Sequence, residues 1–97
     1  MNAYELLYFV DPAATEEMRA GAMKRIEVAI TTNGGTIDNV DDWGKRKLAF
    51  EVDKLTEGDY TLINFHANPD DIAELDRVLR INDAVKRHMV VRRPDEN

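Results

Sequence analysis

The 97-residue sequence contains neither cysteine nor serine. Without thiols it has no disulfide framework, thiolate metal site or cysteine nucleophile, and without serine it has no serine nucleophile. Proline (three) and glycine (five) are sparse and scattered, so there is no linker or low-complexity tract. No apolar run approaches the roughly 20 residues needed to cross a bilayer, so no membrane association is expected. The opening Met1-Asn2-Ala3-Tyr4-Glu5 lacks the basic and apolar regions of a signal peptide, which makes a cytoplasmic location the expectation. Basic side chains are scarce too: 13 against 19 acidic ones, for a net charge of −6. As a total, that balance argues against nucleic acid as a partner.

What is present fits one compact domain. Apolar residues make up 43% of the chain and charged ones 33%, and a chain this long buries about 60–70% of its unfolded surface, enough for one two-layer core. One domain over residues 1–97, with a short tail at 94–97, is the expectation.

The net charge hides segregation along the chain. Residues 1–44 sum to −5, Lys45-Arg46-Lys47 to +3, residues 48–76 to −7, residues 77–93 to +5 and the last four to −2. Screening limits an exposed charge to a reach of about 8 Å at physiological salt, so an acidic protein can still carry a locally positive patch. The competing reading is that the basic segments are solvated faces and helix-end charges.

Tyr4 to Val10 is rich in aromatic and branched residues and is stopped by Asp11-Pro12, the pattern of a strand. Thr15 is placed as a helix N-cap ahead of Glu16 and Glu17. Met18, Ala22, Met23, Ile26, Ala29 and Ile30 form its buried stripe, and Gly34-Gly35 ends it. Residues 36–52 read as a long strand bent near Gly44, with Leu48, Phe50 and Val52 spaced by two. Asp53 to Gly58 has turn composition, and Tyr60 to Ala67 is a further strand. Asn68-Pro69-Asp70-Asp71 predicts a helix start with Asn68 as N-cap. Ile72, Leu75, Val78 and Leu79 give its buried stripe, Asn82-Asp83 its end, and Val85 to Val91 the last strand.

The order β-α-β-β-α-β favours an α+β, ferredoxin-like plan: a four-stranded antiparallel sheet with two helices on one face. The other face is then open to solvent or a partner. The first strand is apolar on both sides, which makes Leu7 and Phe9, on the side that also carries Glu5, candidate partner contacts. Scattered surface apolar residues are the bland alternative.

Catalytic constellations are absent from the pattern. His66 and His88 fall on strands without the spacing of a metal motif and read as surface or interface side chains. Asp70-Asp71 is explained by the helix dipole, and Asp41-Asp42, adjacent in a strand, point to opposite faces. Nucleic-acid binding fits better once charge is viewed locally. Lys45, Arg46 and Lys47 follow Trp43-Gly44 at a bend, where cations meet phosphates and an aromatic can stack on an unpaired base. Along the last strand Lys86, His88 and Arg92 share one face, Arg87 and Arg93 the other. The strand Asp59 to Phe65 lacks the signature of RNA-recognition motifs.

The segment Asp42-Trp43-Gly44-Lys45-Arg46-Lys47-Leu48-Ala49-Phe50-Glu51-Val52, followed by Lys54-Leu55, resembles the signature of the bacterial small-subunit ribosomal protein six family. So do Tyr4-Glu5 in the first strand, Arg80-Ile81-Asn82-Asp83-Ala84-Val85, Arg87, and Met89-Val90-Val91-Arg92. The similarity runs in order from about residue 3 to residue 93. Phe50 stands where the family usually has tyrosine, and Val52 where isoleucine is common; both keep the apolar character. The resemblance implies the ferredoxin-like fold and a structural, non-enzymatic role on the ribosome. It implies binding to the central domain of small-subunit ribosomal RNA together with small-subunit ribosomal protein eighteen, with no metal, cofactor or small-molecule substrate.

On this reading Lys45, Arg46, Lys47, Lys86, Arg87, Arg92 and Arg93 are the candidate RNA contacts, and Leu7, Phe9 and Trp43 the candidate contacts to the partner protein. For Arg46 and Arg80, pairing with nearby acids stands as the alternative. Acid-rich surfaces are expected to face a basic partner or solvent, and basic segments the RNA. The rival reading is a ferredoxin-like ligand-binding or oligomerisation module, which explains an apolar sheet face and an acidic composition without RNA.

Overall fold

Among the described residues seven elements follow one another: strand β1 (Asn2–Val10), helix α1 (Glu16–Thr31), strands β2 (Thr36–Val52) and β3 (Leu55–Ala67), a 3-10 turn (Pro69–Asp71), helix α2 (Ile72–Ile81) and strand β4 (Val85–Arg92). The computed structural model describes residues 1–52 and 54–93; Asp53 and the expected tail at 94–97 lie outside the described residues. The sheet order is β2-β3-β1-β4, and every neighbouring pair is antiparallel. This is the ferredoxin-like α+β plan expected from the element order.

The period of two in β1 decides which side is the core. Tyr4, Leu6, Tyr8 and Val10 face the helices and pack with Ala22, Ile26 and Ile30 of α1 and Leu75 and Leu79 of α2. Tyr4 stacks on Phe65 with ring centroids 5.5 Å apart. Burial raises the Tyr8 hydroxyl above its ordinary pKa against the opposing effect of a hydrogen bond with Thr61, while Asp42 and Asp59 nearby add to the rise. Thr15 caps α1 as expected, its hydroxyl accepting from the Met18 amide at 3.1 Å. Arg19 in the first turn pairs with Asp59 of β3 and donates to the carbonyls of Pro12 and Ala14, which fixes the start of the helix against the sheet.

Three local expectations are corrected. Met18, assigned to the buried stripe, is 46% exposed, because α1 turns Ala22, Ile26 and Ile30 into the core and leaves Met18 at the edge of that face. Asn68 makes no side-chain cap bond; the chain enters α2 through the 3-10 turn, where the Asp71 amide donates to the Asn68 carbonyl. The segment expected to be a turn from Asp53 to Gly58 is mostly strand: β3 starts at Leu55, and Glu57 and Gly58 pair with Lys47 and Arg46. Gly58 looks like a turn residue but is in the strand for steric reasons. A Cβ there would meet Cδ1 of Phe9 at 2.6 Å. Gly44 serves the backbone instead. With φ of +73° it occupies the irregularity between Asp42 and Gly44, where the register of β2 against β3 shifts.

The pairing sets the reach of the hairpin. β1 ends at Val10, opposite Asp59, and β4 begins opposite the same Val10. Residues of β2 and β3 beyond Lys45 and Asp59 therefore have no third strand beside them. They run on as a two-stranded ribbon that projects past the sheet.

Candidate nucleic-acid interface

Register turns the basic segments into positions. On the open face, one row runs Gly44, Tyr60, Phe9, Arg87 from β2 to β4; the next runs Asp41, Leu62, Leu7, Met89, and the next Asn39, Asn64, Glu5, Val91. The last row holds His66 and Ala3, with the Arg93 amide donating to the Ala3 carbonyl at 2.9 Å. Lys86 and Arg87 thus lie at the end of the sheet from which the ribbon carrying Lys45, Arg46 and Lys47 departs. Arg92 and Arg93 lie at the far end, about 20 Å away at 3.3 Å per residue along six residues of β1. The structure puts five of the seven expected basic residues towards one end of the sheet, on its two edge strands β2 and β4, and two at the other end.

The two groups also differ in bonding. Lys45, Arg46 and Lys47 are exposed, and none forms an ion pair among the described residues. Lys45 sits opposite Asp59 in register, but that carboxylate is held by Arg19. Arg46 donates to the Lys45 carbonyl. Arg87 is exposed and Lys86 half-buried, and neither forms an ion pair among the described residues. At the far end Arg93 reaches across Ala3 to Asp38 of β2 at 3.4 Å with a side chain only 18% exposed, and Arg92 donates to Asn2. Arg80 takes the structural alternative, pairing with Asp76 at 3.5 Å, whereas Arg46 does not pair with an acid among the described residues.

The residues expected to meet a partner divide as well. Leu7 is half-buried at the centre of the open face, beside Leu62 and Met89. Phe9 is on that face but is 3% exposed rather than open, because its ring is sheltered by Gly58 and by Tyr60, whose centroid lies 5.2 Å away. Trp43 is 37% exposed, with its indole N–H donating to Asp41 and its ring 6.4 Å from Tyr60. Trp43, Tyr60 and Phe9 therefore make a run of rings from β2 to β1, ending at Arg87. A shallow hollow of about 160 Å³ opens beside it, lined in part by Leu7, Phe9, Tyr60 and Met89.

Several surface residues escaped the sequence reading. Met89 and Val91 are 56% and 47% exposed and continue the apolar strip of Leu7 and Leu62. Their alternation with Arg87 and Arg93 held the signal, but only pairing with β1 assigns that side to the open face. Phe50, read as a strand residue of ordinary alternation, is 80% exposed on the ribbon. The histidines sit in polar pairs: His66 lies 2.6 Å from Asp38 and His88 lies 2.6 Å from Asp76. The hydrogen bond from His88, with charge from His88 and Arg80, holds the Asp76 carboxyl below its ordinary range. Among the described residues no group of three or more histidine, aspartate or glutamate side chains is arranged to hold a metal ion.

A four-stranded antiparallel sheet with two helices on one face, and with Leu7, Leu62, Met89 and Val91 on the other, defines a ferredoxin-like α+β domain. A family model described as Ribosomal protein S6 matches residues 3–92. Small ribosomal subunit protein bS6 of Clostridium beijerinckii is 47% identical over 91 residues, 94% of this chain and 96% of that relative. The bS6 of Caldanaerobacter subterraneus is 45% identical over 95 residues, 98% of this chain and 100% of that one. The crystal structure of 30S ribosomal protein S6 from Thermotoga maritima superposes with a TM-score of 0.87 at 34% identity, covering 97% of this chain and 89% of that one. The C-terminal domain of the MgtC protein from Mycobacterium tuberculosis has a TM-score of 0.63 at 9% identity over 100% of this chain and 93% of its own, a likeness of fold alone. The chain belongs to the ribosomal protein S6 family. It is a protein of the small ribosomal subunit, a particle built on RNA, and it is not an enzyme.

Proposed function

We propose that this chain binds the central domain of small-subunit ribosomal RNA jointly with small-subunit ribosomal protein eighteen. The observation that carries the proposal is that Lys45, Arg46, Lys47, Lys86 and Arg87, without ion pairs among the described residues, all lie towards one end of the sheet, where Arg87 stands on the open face. These cations meet phosphates, and the strip of Leu7, Leu62, Met89 and Val91, with Phe9 and Trp43 beside it, meets the partner protein. Arg92 and Arg93 take secondary places: Arg93 is engaged with Asp38, so its share in RNA contact is smaller than that of Arg87.

The net charge of −6 then has a physical role. Long-range repulsion weakens the encounter of the isolated chain with a polyanion, and a basic partner removes that penalty. Filter binding with central-domain RNA, with and without the partner, tests this. The expected result is weak binding alone and tight binding together. Reversal of Lys86 and Arg87 to glutamate lowers the joint affinity, and it lowers the magnitude of the salt slope by about 1.4–1.8, at 0.7–0.9 for each of two phosphate contacts. No RNA binding under either condition, with a stable homodimer by light scattering, would instead favour an oligomerisation module pairing through the open face.

A further inference from the structure

We propose that Phe50 is a base-stacking contact, holding an unpaired base of the bound RNA on the exposed side of the ribbon. The inference deepens the proposed function and rests on it. Phe50 is 80% exposed, the most exposed large apolar side chain among the described residues. Single exposed apolar residues are common, but this one differs from the others in its surroundings. Met89 and Val91 belong to a continuous apolar strip on the sheet, and Val28 and Ile81 line a groove between the helices. Phe50 lies instead on a two-stranded ribbon with no third strand beside it, where Lys47 pairs with Glu57 and the register is irregular between Lys47 and Val52.

Along the strand it stands between a run of three cations and the exposed Glu51. Lys45, Arg46 and Lys47 precede it, and none is neutralised by an ion pair among the described residues. Lys47 is three residues back, about 10 Å along an extended chain. That spacing lets one short stretch of single strand lay a base on the ring while its backbone runs past the ammonium and guanidinium groups. An aromatic platform beside a cationic track is the combination that holds unpaired nucleotides without reading their sequence. The surroundings argue against a protein socket as the occupant: an apolar pocket that took the ring would have to approach the hydrated cations beside it. Trp43 is less suited to stacking on a base, since its ring rests near Tyr60 and its N–H is engaged by Asp41.

The test measures joint binding to central-domain RNA by filter retention over a range of salt, for the full chain with Phe50 intact, Phe50→Ala and Phe50→Trp. Removing the ring is expected to weaken binding on the order of 10- to 100-fold with the salt slope unchanged, and Phe50→Trp to bind like the parent. Ultraviolet crosslinking of the parent complex should link an RNA base to Phe50. At 80% exposure the side chain contributes little to folding, so the thermal midpoint of Phe50→Ala should match the parent. Equal affinities of parent and Phe50→Ala would overturn the stacking contact while leaving the proposed function intact. Loss of affinity for protein eighteen measured without RNA would also overturn it, making Phe50 a protein contact. If the parent itself binds no RNA, with or without the partner, the proposed function fails and the stacking contact falls with it.

Discussion

The ring of Phe9 lies over Gly58, so closely that a methyl group on Gly58 would meet Cδ1 of the ring at 2.6 Å. The contact joins the end of β1 to the base of the ribbon and keeps Phe9 at 3% exposure on a face that is otherwise open. Gly58→Ala is therefore expected to lower stability by about 1–3 kcal/mol, the usual cost of forcing atoms into a packed site. Combining it with Phe9→Ala should cost less than the two single losses together, because the small side chain at position 9 gives the new methyl room. Urea unfolding of the three variants measures both quantities, and strict additivity would show that the two residues do not share this contact.

That contact also marks where sequence reading reached its limit. The order of elements, the two faces of β1, the Thr15 cap and the buried stripe of α2 were legible, because each depends on periodicity or on a few adjacent residues. The extent of the hairpin was not. Thr56-Glu57-Gly58 has turn composition, and only the ring of Phe9, 49 positions earlier in the chain, explains why glycine belongs in the strand. Met18 fits the helical spacing but misses the sheet, since spacing fixes which residues share a helical face and not how far the sheet extends beneath it. Most consequentially, the grouping of the cations needs the register of β4 on β1. Lys86-Arg87 and Arg92-Arg93 look equivalent in sequence, yet pairing Arg87 with Phe9 and Arg92 with Tyr4 puts them at opposite ends. The open-face apolar strip shows the same dependence, because Met89 and Val91 gain their meaning only beside Leu7 and Glu5.

His88 and Asp76 join β4 to α2 at 2.6 Å, and the bond predicts an acid-sensitive stability. The His88 hydrogen bond is the largest cause holding the Asp76 pKa below its ordinary 3.8. A carboxyl with a depressed folded-state pKa contributes stability that is complete above the unfolded value and is lost as pH falls through the folded one. The parent should therefore be more stable than Asp76→Asn at pH 5–7, with the gap narrowing below about pH 3.8. Thermal midpoints of both proteins across that range check the sign. A gap that stays constant down to pH 2 would mean that Asp76 does not carry the dependence.

Met89 tests the apolar strip without disturbing the core. It is 56% exposed and lies opposite Leu7 on the open face. Met89→Glu is expected to leave the unfolding free energy within about 0.5 kcal/mol of the parent, as surface substitutions generally do. If the proposed function holds, binding to protein eighteen should fall at least tenfold, because a carboxylate would be desolvated in an apolar contact at a cost above about 1.4 kcal/mol. Calorimetry of the two proteins in the absence of RNA separates this effect from any change in phosphate contact. Unaltered protein–protein affinity would move the partner's footprint off the centre of the sheet.

Arg87 and Arg93 occupy the same face of β4, but their surroundings differ, and the proposed function gives them different work. Arg87 is exposed in the row of Phe9 and Tyr60, at the end where the ribbon begins, with no ion pair among the described residues. Arg93 is mostly buried and carries a bond from the end of β4 across to Asp38 of β2. Arg87→Gln should therefore reduce joint RNA affinity and lower the magnitude of its salt slope by about 0.7–0.9, with little change in stability. Arg93→Gln should do the reverse: a loss on the order of 1 kcal/mol in unfolding free energy, from a charge-assisted bond removed at a partly buried site, with the salt slope nearly unchanged. Measuring both properties on both variants sets the comparison. If Arg93→Gln changed the slope as much as Arg87→Gln did, the RNA footprint would have to extend along the whole of β4, and the division of the basic residues into two ends would lose its functional meaning.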